Sequence, residues 1–235
     1  MKQNRRILLK LSGEALMAGG TEIYNVPFVE EVAKTIGEAV RGGVQVAIVV
    51  GAGNIWRGRQ GGDMDRTSAD RMGMLATVIN SICLKEALER TGTPAVVLSC
   101  VPMSPIAEDY EAKKAIRYLE EGKVVLCGAG TGMPFFSTDT AGAVRARELD
   151  ADAMLMAKNV DYIYTANPKE DPTAEKIEKI KASEMLARNL TAIDATATAF
   201  CMANGMPIRV FGLSHPSDIL RALSGDAVGT VVTPD

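Results

Sequence analysis

At 235 residues and 25.0 kDa, with 47% apolar residues but only 5% aromatic ones, the chain has material for a sizeable, mainly aliphatic core. A net charge of -3 and a pI near 5.4 exclude a general nucleic-acid coat and a binder of anionic membranes, so any phosphate must be held by a few locally placed cations. Cys83, Cys100, Cys127 and Cys201 form no CxxC pair, and the single histidine, His215, has no partner motif; a disulfide framework, a zinc site and a histidine triad all lack support.

The basic, apolar start, Met1–Leu11, is interrupted by Lys10 and followed by no A-x-A pattern, and no run approaches the roughly 20 apolar residues of a membrane span. The expectation is a cytoplasmic protein with one α/β domain over residues 1–235. Ile7–Leu9 reads as a strand leading into Lys10-Leu11-Ser12-Gly13. From Pro27, the residues Phe28, Val29, Val32, Ala33, Ile36 and Val40 share one helical stripe, capped by Asn25 and stopped by Gly42-Gly43. Val46–Val50 is a second, β-branched strand, giving a βαβ opening. Gly58–Arg66 reads as a mobile surface loop, and Thr67–Arg90 as a long helix apolar on several sides, suited to deep burial or to another subunit. Ala95–Leu98 (strand), Ala112–Glu121 (helix) and Val124–Leu126 (strand) follow, then Ala141–Leu149 (helix) and Ala153–Met156 (strand). Asn159–Pro172 is a polar loop, and Thr173–Lys181 a solvated, charged face. Ala195–Asn204, Ile208–Phe211, Ser217–Leu223 and Gly229–Val232 alternate helix and strand. This order specifies a mostly parallel sheet with helices on both faces.

Three stretches carry the chemistry. Gln45–Gly58, QVAIVVGAGNIWRG, ends a buried strand in Gly51-Ala52-Gly53-Asn54 and then Arg57, at the edge of a parallel sheet where ligands bind. It reads as the floor of an anion site, or more plainly as a tight turn. Lys10–Gly13 offers a cation, a hydroxyl and free main-chain amides at the end of the neighbouring strand, suited to a triphosphate, although a lysine there is often merely solvated. Thr131–Asp139 offers hydroxyl and amide donors, two aromatic rings, Phe135 and Phe136, able to stack on a planar base, and Asp139 at a helix start. Asp139 is either a simple N-cap or the group that orients Lys10 across a cleft. The standard nucleotide fingerprints are absent: Gly122-Lys123 is followed by Val124, Trp56 replaces the third glycine after Gly51-x-Gly53, and Met133 does so after Gly128-x-Gly130.

These stretches identify a resemblance. ILLKLSGEAL (7–16), GAGNIWRG (51–58), DRMGMLATVIN (70–80), GAGTGMPFFSTDTA (128–141), ADAMLMAK (151–158), DPTAEK (171–176) and MPIRVF (206–211) resemble the bacterial UMP kinase branch of the amino acid kinase family, over essentially the whole chain. The resemblance implies a three-layer α/β/α sandwich with a central, mostly parallel sheet. It implies direct transfer of the ATP γ-phosphoryl group to UMP, giving UDP and ADP, in pyrimidine nucleotide (CTP) biosynthesis. Mg²⁺ would be carried by ATP, with no protein carboxylate dedicated to it. GTP activation, UTP inhibition and a homohexamer built from dimers are further family expectations.

Residue by residue, the resemblance gives Lys10, Arg57 and Asp139 catalytic roles. Lys10, Leu11, Ser12, Gly13, Gly53, Arg57, Asn159, Tyr164 and Asn167 would bind ATP. Ala52, Asp70, Thr131, Gly132, Met133, Pro134, Phe135, Phe136, Ser137 and Thr138 would bind UMP, with Asp70 on the uridine. The chain departs from the family in Asn167, where an Asp usually precedes the proline, and in Tyr162, which replaces a usual glycine. Another amino acid kinase, or a non-catalytic oxyanion binder on the same fold, are the rival readings.

Overall fold

The computed structural model describes residues 6–56, 61–168 and 170–235. Arg57 and the first residues of the expected loop that follows it therefore lie outside the described residues. The chain opens with β1 (Arg6–Leu11), a 3₁₀ turn (Gly13–Met17), α1 (Val26–Arg41) and β2 (Gln45–Val50). The Asn25 side chain accepts from the Phe28 amide at 3.1 Å, as an N-cap should. Next come α2 (Arg66–Arg90), β3 (Ala95–Ser99), β4 (Glu108–Asp109), α3 (Ala112–Glu120), β5 (Val124–Gly128), α4 (Thr138–Glu148) and β6 (Ala153–Lys158). The last part is β7 (Ile163–Tyr164), β8 (Lys176–Ile177), β9 (Lys179–Lys181), α5 (Ala182–Ala187), α6 (Ala195–Ala203), β10 (Ile208–Gly212), α7 (Asp218–Ser224) and β11 (Thr230–Thr233).

Among the described residues the main sheet has nine strands in the order β4-β3-β5-β2-β1-β6-β10-β11-β9, while β7 and β8 pair separately. Every neighbouring pair in the main sheet is parallel except β10 with β11. The expected three-layer, mostly parallel architecture is therefore present. The differences are local: β4 and α5 are additional short elements, and β7 lies within the stretch Asn159–Pro172 expected as a polar loop. The charged stretch taken as a solvated face contributes β8 and β9, because Ile180 alternates between exposed lysines and is buried against β11. The helix expected from Ala141 starts at Thr138, where the Ser137 side chain accepts from the amides of Asp139 and Thr140.

The parallel arrangement decides where a site can form. β1 lies between β2 and β6, so the carboxyl ends of all three meet at one edge, at the point where strand order reverses. Alternation along β1 sorts its side chains: Ile7, Leu9 and Leu11 enter the core beneath α1 and α2, while Leu8 joins Met154 and Met156 of β6 in the core beneath α4. Lys10 pairs with Met156 and continues the α4 face, and Lys158 is the next same-face position on β6. Helix α2 is two-faced: Ala76, Leu84 and Leu88 are buried, whereas Leu75, Ile79 and Ile82 are exposed.

Phe211, on β10, is the largest fully buried side chain among the described residues. Phe211→Ala is expected to cost about 3–5 kcal/mol in denaturant unfolding. Phe136→Ala, at a ring 47% exposed, should change stability by no more than about 0.5 kcal/mol.

Candidate active site

At the switch point the backbone itself forms two facing turns. The Gly51 amide donates to the Leu11 carbonyl at 2.8 Å, and the Ser12 amide donates to the Ala157 carbonyl at 3.0 Å, so the loops after β1, β2 and β6 are tied edge to edge. Gly13 cannot be replaced without moving this junction: a Cβ there would stand 2.4 Å from the Gly51 carbonyl oxygen and 2.5 Å from the Asn54 amide oxygen. Lys10, Ser12, Gly13, Gly51, Ala52 and Gly53 border a cavity of about 550 Å³, within the range of small-molecule sites. The rest of its wall comes from Glu14, Trp56, α2, the loop into α4 with its first turn, and the start of α6.

The chemistry converges on one carboxylate. Asp139 Oδ1 lies 2.9 Å from Lys10 Nζ, and Asp139 Oδ2 lies 2.6 Å from Lys158 Nζ. The Lys158 ammonium also donates to the Ala192 carbonyl. Lys10 and Asp139 are 6% and 8% exposed, which makes this a buried two-plus-one charge cluster. Burial alone would push the Asp139 carboxyl upward, but the two ammonium groups outweigh it and hold the carboxyl below its ordinary value. Burial pulls the Lys158 ammonium below the usual lysine value despite the pull of Asp139 in the opposite sense, and the Lys10 charge adds to the lowering. Asp139 is not the cap of α4; Ser137 is, leaving both Asp139 oxygens for the lysines.

The opposite wall is polar and aromatic. Asp70, on α2, accepts from the Phe135 amide at 2.8 Å and pairs with Arg66 at 2.9 Å, while the Arg66 guanidinium sits 5.9 Å from the Phe135 ring centre. Phe135 has φ 70, a left-handed conformation that holds its ring out at the cavity rim, 67% exposed. Thr131, Met133, Phe136 and Thr138 line the same cavity, whereas Gly132 and Pro134 shape the loop without lining it. Ser137 donates to Asp194, whose carboxylate also accepts from Thr140 Oγ1 at 3.1 Å and caps α6 through the Ala197 amide at 2.8 Å.

A second cavity of about 570 Å³ lies on the other side of the 3₁₀ turn; Glu14 borders both cavities, and Lys158 and Asn159 line the second. Asn159 donates to Glu14 at 2.7 Å. Leu11 is fully buried, while Tyr164 donates to Asp161 at 2.7 Å and lines neither cavity. Asn167 also lines neither cavity; its carbonyl accepts from the amides of Glu170 and Asp171. Arg57 is outside the described residues, so its relation to Lys10 is not part of this geometry. Among the described residues no group of three or more His, Cys, Asp or Glu is placed to hold a metal ion.

Sequence reading missed Lys158, Asp194 and Arg66. Lys158 carried a usable signal: Met154, Met156 and Lys158 have the parity of Leu8 and Lys10 on the adjacent strand, which puts both lysines on one face. Asp194 carried only a weak one, as the acid before the small-residue helix Ala195–Ala203.

The amino acid kinase family model matches residues 5–212. Among solved structures, the UMP kinase from Bacillus anthracis superposes with a TM-score of 0.94 at 34% identity, covering 100% of this chain and 98% of that one. The UMP kinase from Ureaplasma parvum gives 0.92 at 35% identity over 98% of this chain and 99% of that one. The uridylate kinase from Archaeoglobus fulgidus gives 0.73 at 27% identity over 97% of this chain and 99% of that one.

Asp139→Asn should leave two buried ammonium groups facing a neutral amide, at a cost of about 3–5 kcal/mol in denaturant unfolding at pH 7. Because the native carboxyl value is depressed, its stabilisation is present above the unfolded value of about 3.9 and is lost only as pH falls through the lower native value. The gap between wild type and Asp139→Asn should therefore persist to about pH 4 and close below it.

Proposed function

The chain belongs to the amino acid kinase family, and we propose that it is a UMP kinase that moves the ATP γ-phosphoryl group directly to UMP, giving UDP and ADP. The observation that carries this reading is the pair of adjacent cavities, with Lys10 facing the first, Lys158 the second, and one carboxylate holding both. The acceptor occupies the first cavity: its base lies against Phe135 and Phe136, its uridine near Asp70, and its phosphate on the turn that follows Gly51, whose own amide is held by the Leu11 carbonyl. Ala52 meets the acceptor phosphate there through its backbone, Gly53 lies between it and the ATP phosphates, and Thr131 and Thr138 are hydroxyl donors. ATP lies on the Asn159 side, with its phosphates over Lys10–Gly13. Tyr164 and Asn167 belong to its adenosine end, and Arg57 is assigned to the phosphates by the family resemblance.

A nucleoside monophosphate loses its second proton near pH ~6, so at neutral pH the attacking oxygen is already charged and needs no general base. Catalysis is then alignment of two polyanions and neutralisation of charge on the transferred group. Lys10 and Lys158 supply positive charge without reorganising, because Asp139 fixes both before substrate arrives. Mg²⁺ would be carried by ATP and would supply further positive charge to the phosphates beside Lys10–Gly13. The setting that goes with this activity is cytoplasmic pyrimidine nucleotide synthesis towards CTP, in one domain over 1–235, with GTP and UTP as effectors. The exposed Leu75, Ile79 and Ile82 of α2 support a homo-oligomer, a hexamer built from dimers, that covers this face.

An ADP-release assay should show turnover with UMP well above that with CMP, AMP, glutamate or carbamate; turnover of an amino acid but not of UMP would refute the assignment. Lys10→Ala and Arg57→Ala should each lower kcat by about 10²–10³-fold, or roughly 3–4 kcal/mol. Light scattering at micromolar concentration should give a hexamer, and Ile79→Glu should shift it to smaller species; a wild-type monomer would count against the oligomer.

A further inference from the structure

Behind the Gly51 turn, side chains not assigned to either substrate form a closed polar network. Asn80, in the middle of α2, is 0% exposed. Its side-chain nitrogen donates to the Gly51 carbonyl at 2.7 Å and to Asn54 Oδ1 at 2.8 Å. Its oxygen accepts from the Tyr24 hydroxyl at 2.7 Å and from Asn54 Nδ2 at 3.1 Å. Both donors and both acceptor positions of the amide are thus used, a saturation that fixes the orientation of the group. Asn54 in turn donates to the Ile23 carbonyl at 3.0 Å, so the network ties the loop before α1 to the loop after β2. Burial pushes the Tyr24 phenol above its ordinary value and keeps it a donor.

The Gly51 carbonyl that Asn80 holds is the same atom that a Cβ on Gly13 would meet at 2.4 Å. The two glycine turns, one bordering the donor phosphates and one the acceptor phosphate, are in van der Waals contact across that oxygen. Any rotation of the Gly51 peptide changes their separation. We propose that Asn80 is a positioning residue for phosphoryl transfer: by clamping the Gly51 carbonyl, with Tyr24 and Asn54 clamping Asn80, it sets the distance between the two phosphate-binding turns. This deepens the kinase reading above and rests on it. Asn80 touches neither substrate, so its effect falls on alignment in the transition state rather than on either binding site.

The test is Asn80→Asp, which keeps size and the acceptor for Tyr24 but removes the donor to Gly51. Since a misplacement of about 1 Å is worth about 100-fold in rate, kcat should fall by about that factor with KM for ATP and UMP changed less than about threefold. Tyr24→Phe, one bond further out, should lower kcat by about fivefold, the value of one ordinary hydrogen bond. A purely structural role would lower the melting temperature and leave kcat per folded molecule unchanged; that result in Asn80→Asp overturns the proposal. If Asn80→Asp does not fold, wild-type kcat in both Tyr24→Phe and Asn54→Ser overturns it instead. Amide hydrogen exchange at Gly51 and Ala52 needs no substrate and should be faster in Tyr24→Phe and Asn54→Ser; unchanged exchange contradicts the clamp. Absence of UMP turnover in the wild type would count against the substrate reading alone, because the exchange result still decides the clamp.

Discussion

Two lysines sharing one buried carboxylate is the constraint on which the rest of the structure depends. An isolated ammonium is too costly to bury, and an isolated carboxylate likewise. Here Lys10 and Lys158 are supplied by adjacent parallel strands and Asp139 by the first turn of the helix laid over them, so each charge exists in the interior only because the other two do. The cluster carries a net positive charge at the mouth of two cavities. That surplus is what an incoming polyanion completes. The strand register, the position of α4 and the electrostatics of the site are therefore one requirement seen at three scales.

The same logic explains the loops. Parallel strands bring the carboxyl ends of β1, β2 and β6 together, and glycine is needed where two of these loops touch, at Gly13 against Gly51. Around that contact the polar groups come from elements distant in sequence: Asn80 from α2, Tyr24 from the loop before α1, Asp194 from the cap of α6. Each is satisfied by main chain or by another side chain, so the walls keep their shape in the absence of ligand.

Much of this was legible in the sequence. The β-branched run Val46–Val50, the stripe Phe28–Val40 and the glycine stops gave the strand–helix alternation, and the motifs around Lys10, Gly51 and Thr131–Asp139 identified the cavity that these residues now border. What escaped was what depends on partners. The short strands β8 and β9 exist because β7 and β11 offer edges, and α5 is only a turn and a half. Lys158 lies beyond the strand expected at Ala153–Met156, and only the longer observed β6 and its register put it on the same face as Lys10. Asp139 had two readings from sequence alone, and the capping role falls to Ser137. From its residues α2 is a long helix apolar on several sides, suited to deep burial or to another subunit; the structure gives it a buried face and an exposed apolar one.

The most direct test of the central claim is a crystal structure with UMP and a non-hydrolysable ATP analogue bound together. The account predicts the Lys10 ammonium within ~3 Å of a phosphate oxygen on the transfer path, still paired with Asp139, with the acceptor phosphate on the Gly51 turn and the donor phosphates on the Lys158 side. Nucleotides bound apart, with Lys10 and Lys158 in contact with neither, would contradict it.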